Sequence, residues 1–485
     1  MPSLKTNVLL NLINTFTSIL MPVVTFPYAT RVLGLEGIGI INFQASVSNY
    51  IVLITGLGIP MYAVKEVARY RDDIRKRNLC VLEITTLSLL LCLVGYVAAI
   101  LLGCFVPRIQ ENLPIFAIFS LTIFFTAIGV NWFYQAIEDF VFITIRAIVF
   151  KVLVAASLFI FVHSADDLIS YALIMVSLAV GNNFINFIHL RKYFKWKDLE
   201  WKKMNIVRHI KPTLQIYLPY IITNIYGNLN IVMIGFMQSD AAVGIYTAAN
   251  KLTFVVLTVV TSLSVVLLPR CSNLIEKGNL TEFKQISLKS IHLVIATALP
   301  AAIGMMLLAD PLVRLFCGSA FGASAEVVYT TAPVILLIGL SNVIGIQIFY
   351  PENKAKFVIF STLGGAIINM LLNFALIPHL SYMGAAYSTI IAELCVLIIQ
   401  YVLGRKYVPF SFKDLKILNY IIASVLMGGG IILTNACIDS MTISFFTCAA
   451  IGTFIYAATL LCLKDAIMSD IVRYAAKLIP HKNGK

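Results

Sequence analysis

Two lysines and one acid in this chain stand in apolar surroundings: Lys151 in VFKVLVAASLF, Lys251 in TAANKLTFVVL and Glu393 in STIIAELCVL. A cation held away from water can bind an anion, and an acid there can exchange a proton or be pinned by hydrogen bonds. Near them run rows of amides and hydroxyls at helical spacing: Asn7, Asn11, Asn14, Ser18 and Thr25, then Asn42, Ser46 and Asn49. A second set has Tyr220, Asn224 and Asn228, followed by Thr247, Lys251, Thr258 and Ser262. Such rows face protein or water, where they line a polar path or glue neighbouring helices.

The solvent around these residues follows from composition. Of 485 residues 60% are hydrophobic and 12% are charged, against roughly 25% charged in soluble proteins. Apolar windows of about 20 residues, each long enough as a helix to cross about 30 Å of hydrocarbon, recur along the chain. The expected fold is an all-α integral membrane protein of about fourteen transmembrane helices. Short alternating strands, which a β-barrel needs, are not the pattern. The first window follows only Lys5 with no small-residue cleavage site before the next, so it reads as retained.

The net charge of +13 resolves into topology. With both termini cytoplasmic, 31 of the 36 Lys and Arg fall in inside segments, only Arg31, Arg108 and Arg314 fall outside, and Lys151 and Lys251 lie within spans. Basic runs such as RYRDDIRKR are then topology signals and contacts for anionic membrane lipids, not a nucleic-acid surface. The nine cysteines form no CxxC pair and the six histidines no HExxH, and GxxxxGK[ST] does not occur. No metal, cofactor or nucleotide chemistry is expected. The outside loops are short, with little room for an enzyme's catalytic constellation.

An internal repeat organises the spans. EGIGIINFQAS (Glu36 to Ser46) aligns with AAVGIYTAANK (Ala241 to Lys251) at an offset of 205 residues, matching Gly39 to Gly244 and Ile40 to Ile245. This predicts two six-helix lobes, residues 1–203 and 204–403, with 404–485 holding two further helices and a cytoplasmic tail. Six spans per block make the repeat parallel, the arrangement of two-lobed alternating-access transporters. The polar rows then sit on the leading two helices of each lobe.

Several stretches resemble the oligosaccharide flippases of the polysaccharide biosynthesis family, in the multidrug, oligosaccharidyl-lipid and polysaccharide exporter superfamily. They are FPYATRVLGLEGIGIINF at Phe26 to Phe43, LGIP at Leu57 to Pro60, KEVAR at Lys65 to Arg69, NWFYQAIEDFVFITIR at Asn131 to Arg146, GIQIFYPENKAKF at Gly345 to Phe357 and NMLLNFALIPHLSYMGAAYSTIIAE at Asn369 to Glu393. The connection LIPHLSYMGAA lacks the glycine this family usually places shortly after the proline. The resemblance implies a bacterial cytoplasmic-membrane protein that carries an undecaprenyl-diphosphate-linked oligosaccharide to the outer leaflet for O-antigen, capsule or exopolysaccharide. It also implies a cavity between lobes, lined by Asn14, Asn42, Asn49, Asn224, Asn228 and Thr247. Lys251 is the expected cation for the diphosphate. Arg31, at the outer end of the first span, either steers that group or anchors its helix at the headgroups. Lys151, near an inner helix end, reads as a snorkelling residue.

Glu393 leaves two readings open. In a hairpin turning near His379 to Tyr382 it lies level with Asn369, so Asn369 or Asn373 can hold it structurally, or it couples transport to a proton or another cation. A cation-coupled drug or metabolite exporter and a membrane polymerase or ligase are the competing functions. The first should concentrate acids in its cavity, and the second needs larger outside loops. Reporter fusions test the topology: those after Lys202, after Lys406 and at the C-terminus should report cytoplasm, and those near Asn112 and Gly318 should report outside. An external C-terminus would break the two-block alignment.

Overall fold

The computed structural model describes residues 4–194, 203–409, 415, 417–465 and 467–469, and the side chains of Asn7, Asn11 and Tyr220 fall outside that description. All regular structure among the described residues is helical. Eleven helices are long and apolar enough to cross a membrane, or twelve if the bent pair Ser324–Thr331 and Val334–Phe349 is one span. With that pair counted, the twelve and the anticipated fourteen part at two places. The first two windows merge into one stretch, Leu20–Arg69, and only Gly227–Met237 of the seventh window counts, as a shorter apolar helix.

The chain forms two compact units, residues 1–247 and 248–485. The first opens with α1 (Leu4–Gly56). At 1.5 Å per residue its 53 residues would run about 80 Å, far more than one crossing. It breaks at Gly34, whose φ of 68° and ψ of −173° only glycine adopts readily. After it come α2 (Ile59–Arg69), α3 (Ile74–Phe105), α4 (Pro107–Gln110), α5 (Leu113–Ile128), α6 (Asn131–Ala136), α7 (Phe140–Phe161), α8 (Leu168–Leu190), α9 (Val207–Met237) and the start of α10 (Asp240–Glu276). Their outward faces are apolar: Leu93, Val97 and Ile100 of α3 are all more than half exposed, as lipid contact requires.

Inside this unit the repeat becomes a contact. A Cβ on Gly39 would lie 1.8 Å from the carbonyl oxygen of Asp240, and one on Gly244 would lie 2.1 Å from that of Leu35. Leu35 and Asp240 are related by the same 205-residue offset as the two glycines. The contact is therefore reciprocal. Helices in lipid gain little from apolar burial against each other, so backbone approach through small residues supplies the association. Arg108 fastens the junction: its Nε donates to Gly235 O at 2.8 Å and its Nη2 to Asp240 Oδ1 at 2.6 Å, and it also pairs with Glu111.

The second unit holds the rest of α10, then α11 (Leu280–Leu307), α12 (Ala309–Cys317), α13 (Ser324–Thr331), α14 (Val334–Asn342), a π-helical turn at Val343–Phe349, α15 (Ala355–Gly404), α16 (Ile417–Ala436) and α17 (Met441–Cys462). The last two helices pair with each other and pack on α11, where Tyr456 Oη donates to Ala296 O at 2.8 Å. α15 breaks at Ser381, inside the anticipated turn, with φ 51° and ψ −135°. A serine thus takes the conformation that a glycine would relieve. Gly384 meets the backbone of Leu376, and Gly365 meets Ala392 and Val396. That register puts Glu393 level with Asn369.

Alanine at Gly39 or Gly244 should lower the apparent unfolding temperature of the purified protein by several degrees, because its methyl has no room against backbone. Gly304→Ala, with nothing within 4 Å of the added methyl, should be neutral or stabilising, since alanine favours helix by about 1 kcal/mol. Differential scanning fluorimetry in detergent compares the three. Equal melting of all three would mean that the junction does not hold the unit together.

Candidate functional site

A cavity of ≈ 410 Å³ in the first unit brings together three of the anticipated residues: Asn49 of α1, and Asn224 and Asn228 of α9. Asn49, Leu53, Gly56 and Pro60 follow one helical face, interrupted where α1 ends and α2 begins. Leu57 (φ 42°) and Gly58 (φ 66°) turn the chain there. The break frees carbonyls that must find partners in a membrane. Tyr217 Oη, from α9, reaches Leu53 O at 3.1 Å and Ile54 O at 3.2 Å, so α9 is tied to the break and its two asparagines face Asn49. No charged residue is among the described lining residues.

A second cavity of ≈ 250 Å³ shares Val52, Gly56, Pro60 and Thr126 with the first and adds Asn131, Gln135 and Asn183. Sequence reasoning missed these three as site residues. The signal lay in NWFYQA: Trp132, Phe133 and Tyr134 are buried in the core around α2 and α3, and Tyr134 Oη donates to Asn186 O at 2.6 Å. This anchoring turns Asn131 and Gln135, four residues apart, to the cavity side.

The remaining anticipated residues disperse. Asn14 does not line either cavity. Its side-chain and backbone oxygens accept from Lys151 Nζ at 2.9 and 3.1 Å, and Ser18 Oγ does so at 2.6 Å, so Lys151 is held by α1 instead of stretching to an interface. Asn42 donates to Ile38 O within its own helix at 2.7 Å, and Arg31 is exposed, donating to Pro27 O at 2.9 Å. Thr247 is buried at 1% exposure. Lys251 is half-buried in the second unit, eleven residues into α10. Glu393 is buried, as are Asn369 and Asn373, and Asn373 Nδ2 donates to Asn369 Oδ1 at 3.1 Å.

The family described as polysaccharide biosynthesis protein matches residues 4–275, more than half the chain, and the MatE family matches 216–375. The chain belongs to the polysaccharide biosynthesis protein family. A putative O-antigen transporter of Escherichia coli K12 is 22% identical over 83% of this chain and 98% of its own. A lipid II flippase, MurJ, of Bacillus subtilis is 25% identical over 37% of this chain and 34% of its own. Among solved structures, lipid II flippase MurJ in an inward closed conformation superposes with a TM-score of 0.75 at 15% identity, covering 95% of this chain and all of that one. An inward-facing multidrug resistance MATE transporter gives 0.65 at 12% identity, covering 80% and 94%. These two likenesses establish the fold. Membership makes the chain a multi-pass transport protein of the cytoplasmic membrane, and not an enzyme.

In this family member the cavity walls are clamped at the start of α9. Glu83, fully buried on α3, accepts from Asn205 N at 2.7 Å, from Arg208 Nε at 3.0 Å and from His209 Nε2 at 2.9 Å. A carboxylate only accepts, so His209 carries its proton on Nε2, and Nδ1 accepts a hydrogen bond from the Tyr62 hydroxyl at 2.6 Å. α2, α3 and α9 meet in this one cluster. His209 precedes the apolar stretch that begins at residue 213. Burial holds its imidazole below the ordinary value, reinforced by Arg208 and opposed by Glu83.

A histidine neutral when folded and freer to protonate when unfolded contributes stability above about pH 6.5 and loses it as pH falls below that value. Unfolding temperature should therefore drop between pH 7 and pH 5, and His209→Gln should flatten the drop. An unchanged slope in the variant would remove His209 as its source.

Proposed function

We propose that this protein is a flippase moving an undecaprenyl-diphosphate-linked oligosaccharide repeat unit from the cytoplasmic to the outer leaflet by alternating access, for surface polysaccharide assembly. One observation carries the reading beyond family membership: the larger cavity is lined by the amides of Asn49, Asn224 and Asn228 without a charged residue among its described lining. Amides donate and accept hydrogen bonds, as sugar hydroxyls require. A cavity built to hold cationic drugs would be expected to bring carboxylates. The family's relatives named as an O-antigen transporter and a lipid II flippase fit a glycan-bearing cargo.

In this reading the chain has fourteen spans with both termini cytoplasmic, arranged as lobes 1–203 and 204–403 with 404–485 appended. The reciprocal glycine junction supports a parallel repeat, since the aligned residues contact each other in aligned pairs. Lys251 is assigned to the diphosphate, as a cation on the helix that follows the amide-bearing α9. Arg31, Asn14, Asn42 and Thr247 belong to the wider pathway, and Glu393 is the candidate for proton or cation coupling.

The Lys251 series tests this. Lys251→Glu should abolish delivery of polymer to the cell surface at normal protein abundance, with lipid-linked units accumulating inside. Lys251→Ala should retain more activity than Lys251→Glu, and Lys251→Arg more still, because it keeps the charge. Losing one charge-assisted contact, about 1.5 to 3 kcal/mol, corresponds to roughly ten- to hundredfold in binding. Normal export by Lys251→Glu at normal abundance would end the assignment.

A further inference from the structure

The smaller cavity of the first unit has a built chemistry of its own. Behind it stands Arg146 of α7, 9% exposed. Its Nε donates to Asn182 Oδ1 at 2.9 Å and its Nη2 to Asn131 Oδ1 at 3.2 Å, and the guanidinium carbon lies 5.3 Å from the Phe142 ring centre. Its Nη1 makes no hydrogen bond among the described residues, and no carboxylate pairs with it among them. A guanidinium held this way leaves its charge uncompensated next to a cavity, which a low-dielectric surrounding makes strongly felt.

Arg146 also decides what Asn131 offers. Arginine only donates, so the Asn131 oxygen must face it, and the two Nδ2 hydrogens remain for the cavity. Asn183 also lines the cavity and packs on the chain break between α5 and α6, where a Cβ on Gly129 would fall 2.3 Å from Asn183 Oδ1. Two other lining residues have the opposite character. Thr55 and Ser88 donate their hydroxyl protons to Ile51 O at 2.7 Å and Ile84 O at 3.0 Å, so their oxygens are left as acceptors. The lining therefore offers a donor backed by a positive charge at Asn131 and acceptors at Thr55 and Ser88. Trp132 adds an apolar face. The ≈ 250 Å³ volume has room for about eight waters at about 30 Å³ each, enough for one sugar ring and not for an oligosaccharide.

We infer that this cavity is a subsite for one anionic sugar unit, its carboxylate taken by the Asn131 amide that Arg146 orients, and its hydroxyls by Thr55, Ser88 and Asn183. The inference rests on the glycan-carrier reading above. Arg146 acts as a positioning residue. It fixes an amide and supplies field, and the sugar itself touches Asn131.

Trp132 makes the subsite readable, because the chain has only two other tryptophans, Trp196 and Trp201. In the full-length W196F/W201F protein in nanodiscs, sodium glucuronate should change Trp132 emission saturably, and glucose should bind at least about tenfold more weakly, having lost the charge-assisted bonds. Asn131→Asp keeps the shape but puts an acceptor in place of the donor, and it should weaken glucuronate by a similar factor. Arg146→Gln should do the same, and Arg146→Lys should restore part of the response. No saturable response to glucuronate, an equal response to glucose, or a response that both Asn131→Asp and Arg146→Gln leave intact would overturn the subsite. A response to inorganic pyrophosphate matching that to glucuronate would overturn its assignment to a sugar acid. Absent glucuronate binding in a protein that exports polymer normally sinks the subsite alone; glucuronate binding in a protein that moves no glycan sinks the wider reading.

Discussion

Backbone touches backbone where Gly39 faces Asp240 and Gly244 faces Leu35, and the first unit is arranged around that approach. In a bilayer, apolar side chains gain nothing by leaving lipid for one another, so helices associate through close packing and buried polar contacts. Any side chain at either glycine would push the helices apart by more than an ångström. With the junction in place, α1 and the α9–α10 connection are held together at one end. Arg108 then closes over it with one bond to a carbonyl and another to Asp240. At the start of α9, Glu83 gathers Asn205, Arg208 and His209. The cavity lies along helices fixed at both of these points.

The same solvent explains why the cavities form at helix breaks. A backbone group left unsatisfied in hydrocarbon costs several kcal/mol, so a broken helix survives only where protein or a polar cavity receives its free groups. Tyr217 serves the α1–α2 break, and at the α5–α6 break Gly129 N donates to Thr126 O while Gly129 O accepts from Asn131 N. Polar side chains then collect where the backbone is already polar. The buried charges follow a related rule. Lys151 is held by an asparagine and a serine, and Arg146 by two asparagines, so these cations are solvated by neutral dipoles. Glu83 meets a neutral histidine and a half-exposed arginine. Neutral amides keep a cation's field available to a bound anion, whereas a carboxylate would quench it.

The solvent, the helical class and the place of the α15 turn are legible in the residue pattern alone. Each depends on a short stretch read alone: a run of apolar residues must be a helix in lipid because nothing else satisfies its backbone, and the turn could be placed at His379 to Tyr382 because apolar spans end there. It also selected Asn49, Asn224 and Asn228, since polar residues at helical spacing must face away from lipid. Tertiary structure decided which polar rows meet. Asn42 and Asn49 share a row, yet the first bonds its own helix and the second lines the cavity. Asn14 became a ligand for Lys151, and Arg146, unremarkable in sequence, became the charge behind Asn131. Helical periodicity gives the direction of a side chain about its own axis and carries no information on the rotation and depth of the helix opposite. Those were set by where two glycines let the backbones touch and where Glu83 pinned the next helix.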